Sequence, residues 1–125
     1  MIKAFITALC ALTIVIVGSC YEQAYLKNSF NEFKAATEKV YKKTEEHTAV
    51  KSDIIAVQNL WLEKKKKLHV FIPHNDIKEV DLWISESVTL IENEMWEDAL
   101  SKLEVVIEMS EQIPKTYTLK LENIL

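Results

Sequence analysis

The chain has 125 residues, a formal net charge of −4, one glycine and two prolines. One domain is expected at this length, and so few turn residues exclude a β-sandwich or barrel, which needs them at every corner. A single glycine also excludes Gly-rich phosphate-binding loops. All 15 basic residues are lysine, and this mildly acidic, arginine-free composition argues against a nucleic-acid-binding protein.

The first 20 residues predict a membrane segment. Lys3 is the only charged residue before Glu22, and residues 4–20 form a charge-free run of 17 residues. A helix of that length spans about 25 Å, which is the short end of what a bilayer core requires. We therefore assign residues 1–20 to a signal anchor or transmembrane segment with Lys3 on the cytoplasmic side. Residues 21–125 form the predicted extracytoplasmic domain, with 14 lysines against 19 acidic residues.

The same segment admits a second interpretation as a bacterial lipoprotein signal. Val17-Gly18-Ser19-Cys20 resembles the pattern cut by lipoprotein signal peptidase, after which Cys20 carries the lipid. Residues 21–25 continue a helical pattern instead of the polar tether usual in lipoproteins, so we favour the anchor. A buried helix of a soluble protein is the least favoured interpretation. The predicted location is the cell membrane, single-pass or lipid-anchored.

Helical periodicity predicts two helices before Pro73. The first continues out of the membrane segment to about Glu46, with one face formed by Leu26, Phe30, Phe33, Thr37, Val40 and Tyr41. The second starts after a cap at Ser52 or Asp53. It ends near Ile72, because proline disfavours the α conformation in the residue before it.

Two further helices are predicted after Pro73. The third starts after a cap at Asn75 or Asp76 and carries a stripe formed by Ile77, Val80, Ile84, Val88, Ile91 and Met95. The fourth carries Trp96, Ala99, Leu103, Val106, Ser110 and Ile113, and Pro114 is expected to close it. The apolar end at residues 121–125 is expected to dock on the bundle. The predicted fold is all-α: a long N-terminal membrane-anchor helix that continues into an antiparallel helical bundle of about four helices.

Aromatic and lysine residues supply the candidate interface positions. Trp61, Trp83 and Trp96 have the helical spacing of core residues, but Trp83 lies one position off the stripe of its helix and is a candidate interface anchor. The lysine run that begins at Lys64 and Lys65 is by default a solvated helix surface, and it could also contact anionic lipid or an acidic partner. The interface candidates are Trp83, Trp61, Trp96, Lys64 and Lys65.

Catalytic and metal-binding chemistry has little support in this sequence. His69 and His74 are weak candidate metal ligands, because they lie five residues apart with Pro73 between them and helical ligand pairs need three or four. A structural interpretation of His74 is a hydrogen bond to the free carbonyls that end the second helix. Carboxylates lie opposite the apolar stripes, and no nucleophile motif is present. We expect neither a metal, a cofactor nor an enzyme.

A set of motifs between Trp61 and the C-terminus resembles a known family. They are Trp61 with the lysine run, residues 71–77, residues 96–100, Ile113-Pro114 and residues 121–125. Together with the apolar N-terminus, they resemble the bacterial family called domain of unknown function 4363. That resemblance implies a small membrane-anchored helical protein of the Firmicutes type, and no catalytic residues come with it.

Two functions follow as expectations. The first is a non-enzymatic, membrane-anchored interaction or assembly module that binds membrane lipid through its N-terminal segment and another membrane or envelope protein through its bundle. The second is a lipoprotein or sensor-like domain that binds a small ligand or metal near His69 and His74. The first predicts an exposed apolar patch, and the second predicts a concave pocket with converging polar groups.

Overall fold

The computed structural model describes the backbone of residues 1–124 and the side chains of residues 1–117. The chain forms four helices: α1 (Ile2–Glu45), α2 (Lys51–Leu68), α3 (His74–Glu92) and α4 (Trp96–Ile124). No strand occurs in this described backbone. The prediction of an all-α bundle with a long first helix is confirmed.

The helices pack in ring order and alternate in direction. α1 packs on α2 and α4, and α3 completes the ring between those two. Two aromatic contacts show that α2 runs antiparallel to α1: the rings of Phe33 and Trp61 lie 5.1 Å apart, and those of Tyr25 and Phe71 lie 6.4 Å apart. This up-down-up-down arrangement is what short connections between successive helices produce.

The core of the bundle begins well inside α1. Leu26 is the first fully buried side chain, and Trp61 fills the centre against Phe30 and Phe33. Four buried hydroxyls are accommodated in this core because each bonds to the carbonyl four residues earlier in its own helix. The residues that do so are Thr37, Thr44, Ser87 and Ser110. The core therefore uses no part of the N-terminal apolar run.

The observed caps of α2 differ from the predicted ones. The first helical residue is Lys51 with Val50 as the cap, and Asp53 lies in the first turn, where its carboxylate accepts a hydrogen bond from the Val50 amide at 2.9 Å. Ser52 and Asp53 are therefore inside the helix. A negative side chain in the first turn also suits the helix dipole.

The turn between α2 and α3 is longer than the sequence predicts. α2 ends at Leu68, four residues before Ile72, because the Phe71 and Ile72 amides both bond to the Leu68 carbonyl in a tight turn. α3 begins at His74 directly after Pro73, whose fixed φ suits a helix start. The predicted caps at Asn75 and Asp76 thus lie in the first turn of α3.

The prediction that Pro114 closes the fourth helix is wrong. α4 passes through Pro114 and continues to Ile124. Proline removes one intrahelical hydrogen bond, but the helix on both sides is held by tertiary contacts. Ile113 is buried, and the Tyr117 hydroxyl bonds to the Asp76 carboxylate on α3. The expected docking of residues 121–125 concerns side chains outside the described residues.

Candidate membrane-facing site

The N-terminal half of α1 presents apolar side chains to the outside over its whole circumference. Every residue from Met1 to Gly18 is exposed, including ten of the bulkiest apolar ones. They are Met1, Ile2, Phe5, Ile6, Leu9, Leu12, Ile14, Val15, Ile16 and Val17. By length and composition, α1 is the one helix in the described part of the chain that is apolar enough to cross a membrane. A helix that is apolar all round is suited to lipid and not to water.

The antiparallel register determines which end of the bundle lies next to this segment. Phe71, in the turn between α2 and α3, contacts Tyr25, which is only five residues after Cys20. Five helical residues span about 7.5 Å. The turn at residues 69–73 therefore lies close to the end of the apolar run, and we call this the proximal end of the bundle.

α4 returns to the same end. Its Glu111 pairs with Lys34 of α1 at 2.6 Å, and 13 further residues of helix follow Glu111. They span about 20 Å, which brings the helix backbone back to the level of about Tyr21. The opposite, distal end consists of the α1–α2 and α3–α4 turns, where the His47 and Trp96 rings stack at 5.2 Å.

The two ends differ in charge. Residues 66–74, at the proximal end, contain two lysines and two histidines and no acidic residue. Residues 92–98, at the distal end, contain four acidic residues and no lysine. The acidic excess of the domain is thus concentrated at the end far from the apolar segment. Such a distribution favours placing the proximal end toward an anionic surface.

Trp61, one of the interface candidates, is a core residue. Its side chain is 1% exposed, and its Nε1 donates a hydrogen bond to Asp81 Oδ1 at 2.6 Å. The other oxygen of Asp81 pairs with Lys65 at 3.1 Å. Trp61 therefore joins α2 to α3 and offers no surface to a partner in this structure.

Trp83 and Trp96 are both half-buried and packed against the core. The Lys102 Nζ lies 4.4 Å from the centre of the Trp83 ring, so a cation covers its outer face. The ring of Trp96 is covered by the stacked His47 ring, at an angle of 8°. The more exposed apolar side chains nearby are Leu82 on α3 and Leu62 on α2.

The lysine run divides into two functional halves. Lys64 pairs with Glu32 at 2.5 Å and Lys65 pairs with Asp81, so both lysines hold neighbouring helices together. Lys66 and Lys67 are exposed and form no ion pair with any side chain the structure describes. The second half of the run is therefore free to bind an external partner.

The remaining predicted site residues are dispersed at the surface. Cys20 is exposed and lies inside the continuous helix α1. His69 and His74 are also exposed, and the His74 ring makes no hydrogen bond with the described residues. Within the described part of the chain, no group of three or more metal-ligating side chains is present.

Four carboxyl and phenol groups in the described part of the bundle have shifted pKa values, and one of them is Tyr41, whose pKa is raised by burial. The Val50 amide, and then Lys43, lower the pKa of Asp53 by bonding to its charged form. The ion pair with Lys34 lowers the pKa of Glu111. Burial, together with the bond to Asp76, raises the pKa of Tyr117 to about 12. Glu111 and Lys34 line one cleft between α1 and α4, and the pKa of Lys34 is raised by the same ion pair that lowers that of Glu111. Both shifts therefore arise from a contact within the bundle.

Sequence periodicity did not find the polar partners that join the helices. Asp81 and Asp76 each accept a hydrogen bond from an aromatic side chain on another helix, 20 and 41 residues away in the chain. On a helical wheel both positions fit a solvated face. Their position beside the apolar stripe, where neighbouring helices meet, is the only signal that distinguishes them from surface carboxylates.

Comparison with known proteins supports the resemblance. A family model, Domain of unknown function (DUF4363), matches residues 20–124, which is the bundle without most of the apolar segment. No curated protein and no solved structure matches the chain significantly. Because the family model spans nearly the whole of the helical bundle, the chain belongs to the DUF4363 family.

Proposed function

We propose that this protein is a non-enzymatic, membrane-tethered helical module that assembles with another membrane or envelope protein. The observation that carries the proposal is the fully exposed apolar half of α1, which continues without a break into the core of the bundle. Such a helix needs lipid around residues 2–19, and its rigid continuation sets the position of the bundle relative to the membrane.

Membrane attachment is tested by fractionation of cells that produce the full chain. We expect the protein in the membrane pellet after an alkaline carbonate wash, and a chain that starts at Tyr21 in the soluble fraction. Full-length protein in the carbonate supernatant would contradict the proposal. Intact mass of the membrane-extracted protein distinguishes the two modes of attachment: the signal anchor predicts an uncleaved chain, and the lipoprotein alternative predicts cleavage before Cys20 with added lipid.

The proposed topology places the bundle outside the cytoplasm with Lys3 inside. A single cysteine at Met95, which is 46% exposed at the distal end, reports on it once Cys10 and Cys20 are replaced by serine. We expect a membrane-impermeant maleimide to label Met95→Cys in intact cells. Labelling only after lysis would show that the bundle lies in the cytoplasm and would contradict the proposed topology.

The proposed protein partner has a candidate face on α2 and α3. Leu62 and Leu82 are 42% and 56% exposed, and both lie near the level of the Trp61–Asp81 hydrogen bond. A photo-crosslinking residue at Leu82 is expected to give a discrete adduct in the producing cells, and Leu62→Asp is expected to abolish it. The matched control is the same crosslinker at Lys39, an exposed position on α1. Equal adducts from both positions would argue against this face.

A further inference from the structure

We propose that the last turn of α2 and the loop after it form a second membrane contact, in which Lys66 and Lys67 bind the anionic phospholipid headgroups of the bilayer that holds α1 and Val70 lies among them. This inference rests on the proposed membrane tethering and adds the class of ligand that the bundle itself recognises. Residues 66–70 at the proximal end are called the basic turn below.

The first argument is distance. The contact between Tyr25 and Phe71 places Phe71, which directly follows the basic turn, at the level of α1 that lies five residues beyond Cys20. That separation is about 7.5 Å along the helix axis. Each headgroup layer is about 5–8 Å thick outside the hydrocarbon core. The end of the turn at this height meets the outer part of the headgroup layer. Lys66 and Lys67 start about one helical turn farther from Cys20, because Lys64 pairs with Glu32, and they meet the layer through their long side chains.

The tilt of α1 determines how deeply the basic turn enters the headgroup layer. Transmembrane helices tilt by about 20° on average, and packed helices lie about 8–10 Å apart. A tilt of α1 toward α2 therefore lowers the basic turn by about 3 Å. Because α1 is continuous from Ile2 to Glu45, the bundle moves with the membrane segment as one body. A favourable contact at the basic turn would in return fix the direction of the tilt.

The second argument is the chemistry of the turn. Lys66 and Lys67 are exposed and carry no described ion-pair partner, whereas Lys64 and Lys65 are used within the bundle. Val70 is 72% exposed, so one apolar side chain stands beside the two lysines. Two free cations beside one exposed apolar side chain match a surface where phosphates lie above acyl chains.

The third argument is charge complementarity over the whole domain. Residues 66–74 contain no acidic residue, and the first carboxylate after them, Asp76, is bonded to the Tyr117 hydroxyl. The distal end carries Glu92, Glu94, Glu97 and Asp98. An anionic membrane therefore attracts the proximal end and repels the distal end. Each lysine near such a surface contributes about fivefold to the contact equilibrium.

The test uses the full chain reconstituted into vesicles, with Cys10 and Cys20 replaced by serine. A fluorophore on Val70→Cys reports contact through quenching by phospholipids that carry a spin label near the headgroup. Vesicles of phosphatidylcholine alone are compared with vesicles that also contain phosphatidylglycerol. The matched reporter is Met95→Cys at the distal end. We expect strong quenching at position 70 in the anionic vesicles only, and none at position 95.

Charge reversal tests the lysines directly. Lys66→Glu with Lys67→Glu is expected to lower the ratio of contacting to free bundles by about 25-fold or more. The control is Lys39→Glu with Lys42→Glu, which makes the same charge change on exposed, more distal positions of α1 and leaves quenching unchanged. Added salt should weaken the contact of the unaltered chain, because a Debye length of about 8 Å at physiological ionic strength screens exposed charges.

The outcomes separate the two proposals. If the protein does not float with the vesicles after a carbonate wash, both the tethering and the basic-turn contact are overturned. If it floats but position 70 is quenched no more than position 95, the tethering stands and the contact is overturned. Quenching at position 70 that is insensitive to phosphatidylglycerol, to salt and to the charge reversal overturns the role of the lysines.

Discussion

Trp61 shows how a single residue can satisfy an apolar pattern and a polar one at once. Its ring fills the centre of the bundle, and its Nε1 reaches a carboxylate on the neighbouring helix. Burial of a tryptophan with its only donor paired contributes both apolar area and a directed contact. The interface role predicted for this residue thus requires a surface that the bundle already occupies.

The raised pKa of Tyr117 predicts that the bundle loses stability at alkaline pH. The folded-state pKa of about 12 lies above the ordinary value of 10, so its contribution is present below pH 10 and is lost as the pH rises toward 12. We expect Tyr117→Phe to have a lower free energy of unfolding at neutral pH than the unaltered chain. Its free energy of unfolding should also fall less between pH 10 and 12. Chemical denaturation of both chains across this range measures the difference. An identical decline in the two chains would show that Asp76 does not hold the phenol.

The backbone conformation of Glu94 predicts that a glycine at this position stabilises the bundle. Glu94 is one of two non-glycine residues with positive φ among the described residues, at φ 56°, directly after α3. Side chains there cost about 1–2 kcal/mol, which glycine avoids. Glu94→Gly is therefore expected to stabilise the bundle by about 1 kcal/mol, measured as a higher Tm. Glu108→Gly, at an exposed position inside α4, is the control and should destabilise by a similar amount.

α4 is the element in which tertiary contacts overcome local preference. A proline inside a helix costs about 3 kcal/mol relative to alanine, yet α4 continues for ten residues beyond Pro114. The helix persists because Ile113 is buried and Tyr117 is anchored to α3. Those contacts would be lost if the chain turned away at Pro114.

Replacement of the proline tests this explanation. Pro114→Ala restores the missing amide and is expected to stabilise α4 by about 1–3 kcal/mol. Hydrogen exchange of the α4 amides measures the gain locally, and Tm measures it globally. Slower exchange confined to the turns around residue 114 would agree with this account, whereas faster exchange would show that the proline fits α4 better than alanine does.

At the scale of the whole molecule, the chain separates into an exposed apolar segment and a bundle whose core does not include it. The described core begins at Leu26, and Gly18 has no non-local atom within 4 Å of a Cβ placed there. The chain from Tyr21 to Leu125 is therefore expected to remain helical and to unfold cooperatively. Circular dichroism and thermal unfolding of that chain measure this. A largely unfolded product would mean that residues 1–20 stabilise the bundle by contacts the structure does not show.

The sequence determined the helical class, the length of α1 and most of the buried faces, because those features depend on local patterning. Met95, predicted in the stripe of the third helix, lies beyond the end of α3 and is exposed. A charge-free apolar run, and stripes such as Ile77, Val80 and Ile84, need no knowledge of distant residues. The family assignment also followed from motifs that lie along the chain. Helix ends were predicted less accurately, since Asp53 bonds to the Val50 amide from within the first turn of α2 and Pro73 directly precedes α3. A hydrophobic pattern contains no information about such hydrogen bonds and torsion angles.

Only the tertiary structure decided which lysines are free and which end of the bundle is near the apolar segment. Lys64, Lys65, Lys66 and Lys67 look alike in the sequence, and their partners Glu32 and Asp81 lie on other helices. The position of the basic turn depends on the antiparallel return of α2 to Tyr25. Such pairings arise from packing between distant segments, so local periodicity carries no information about them.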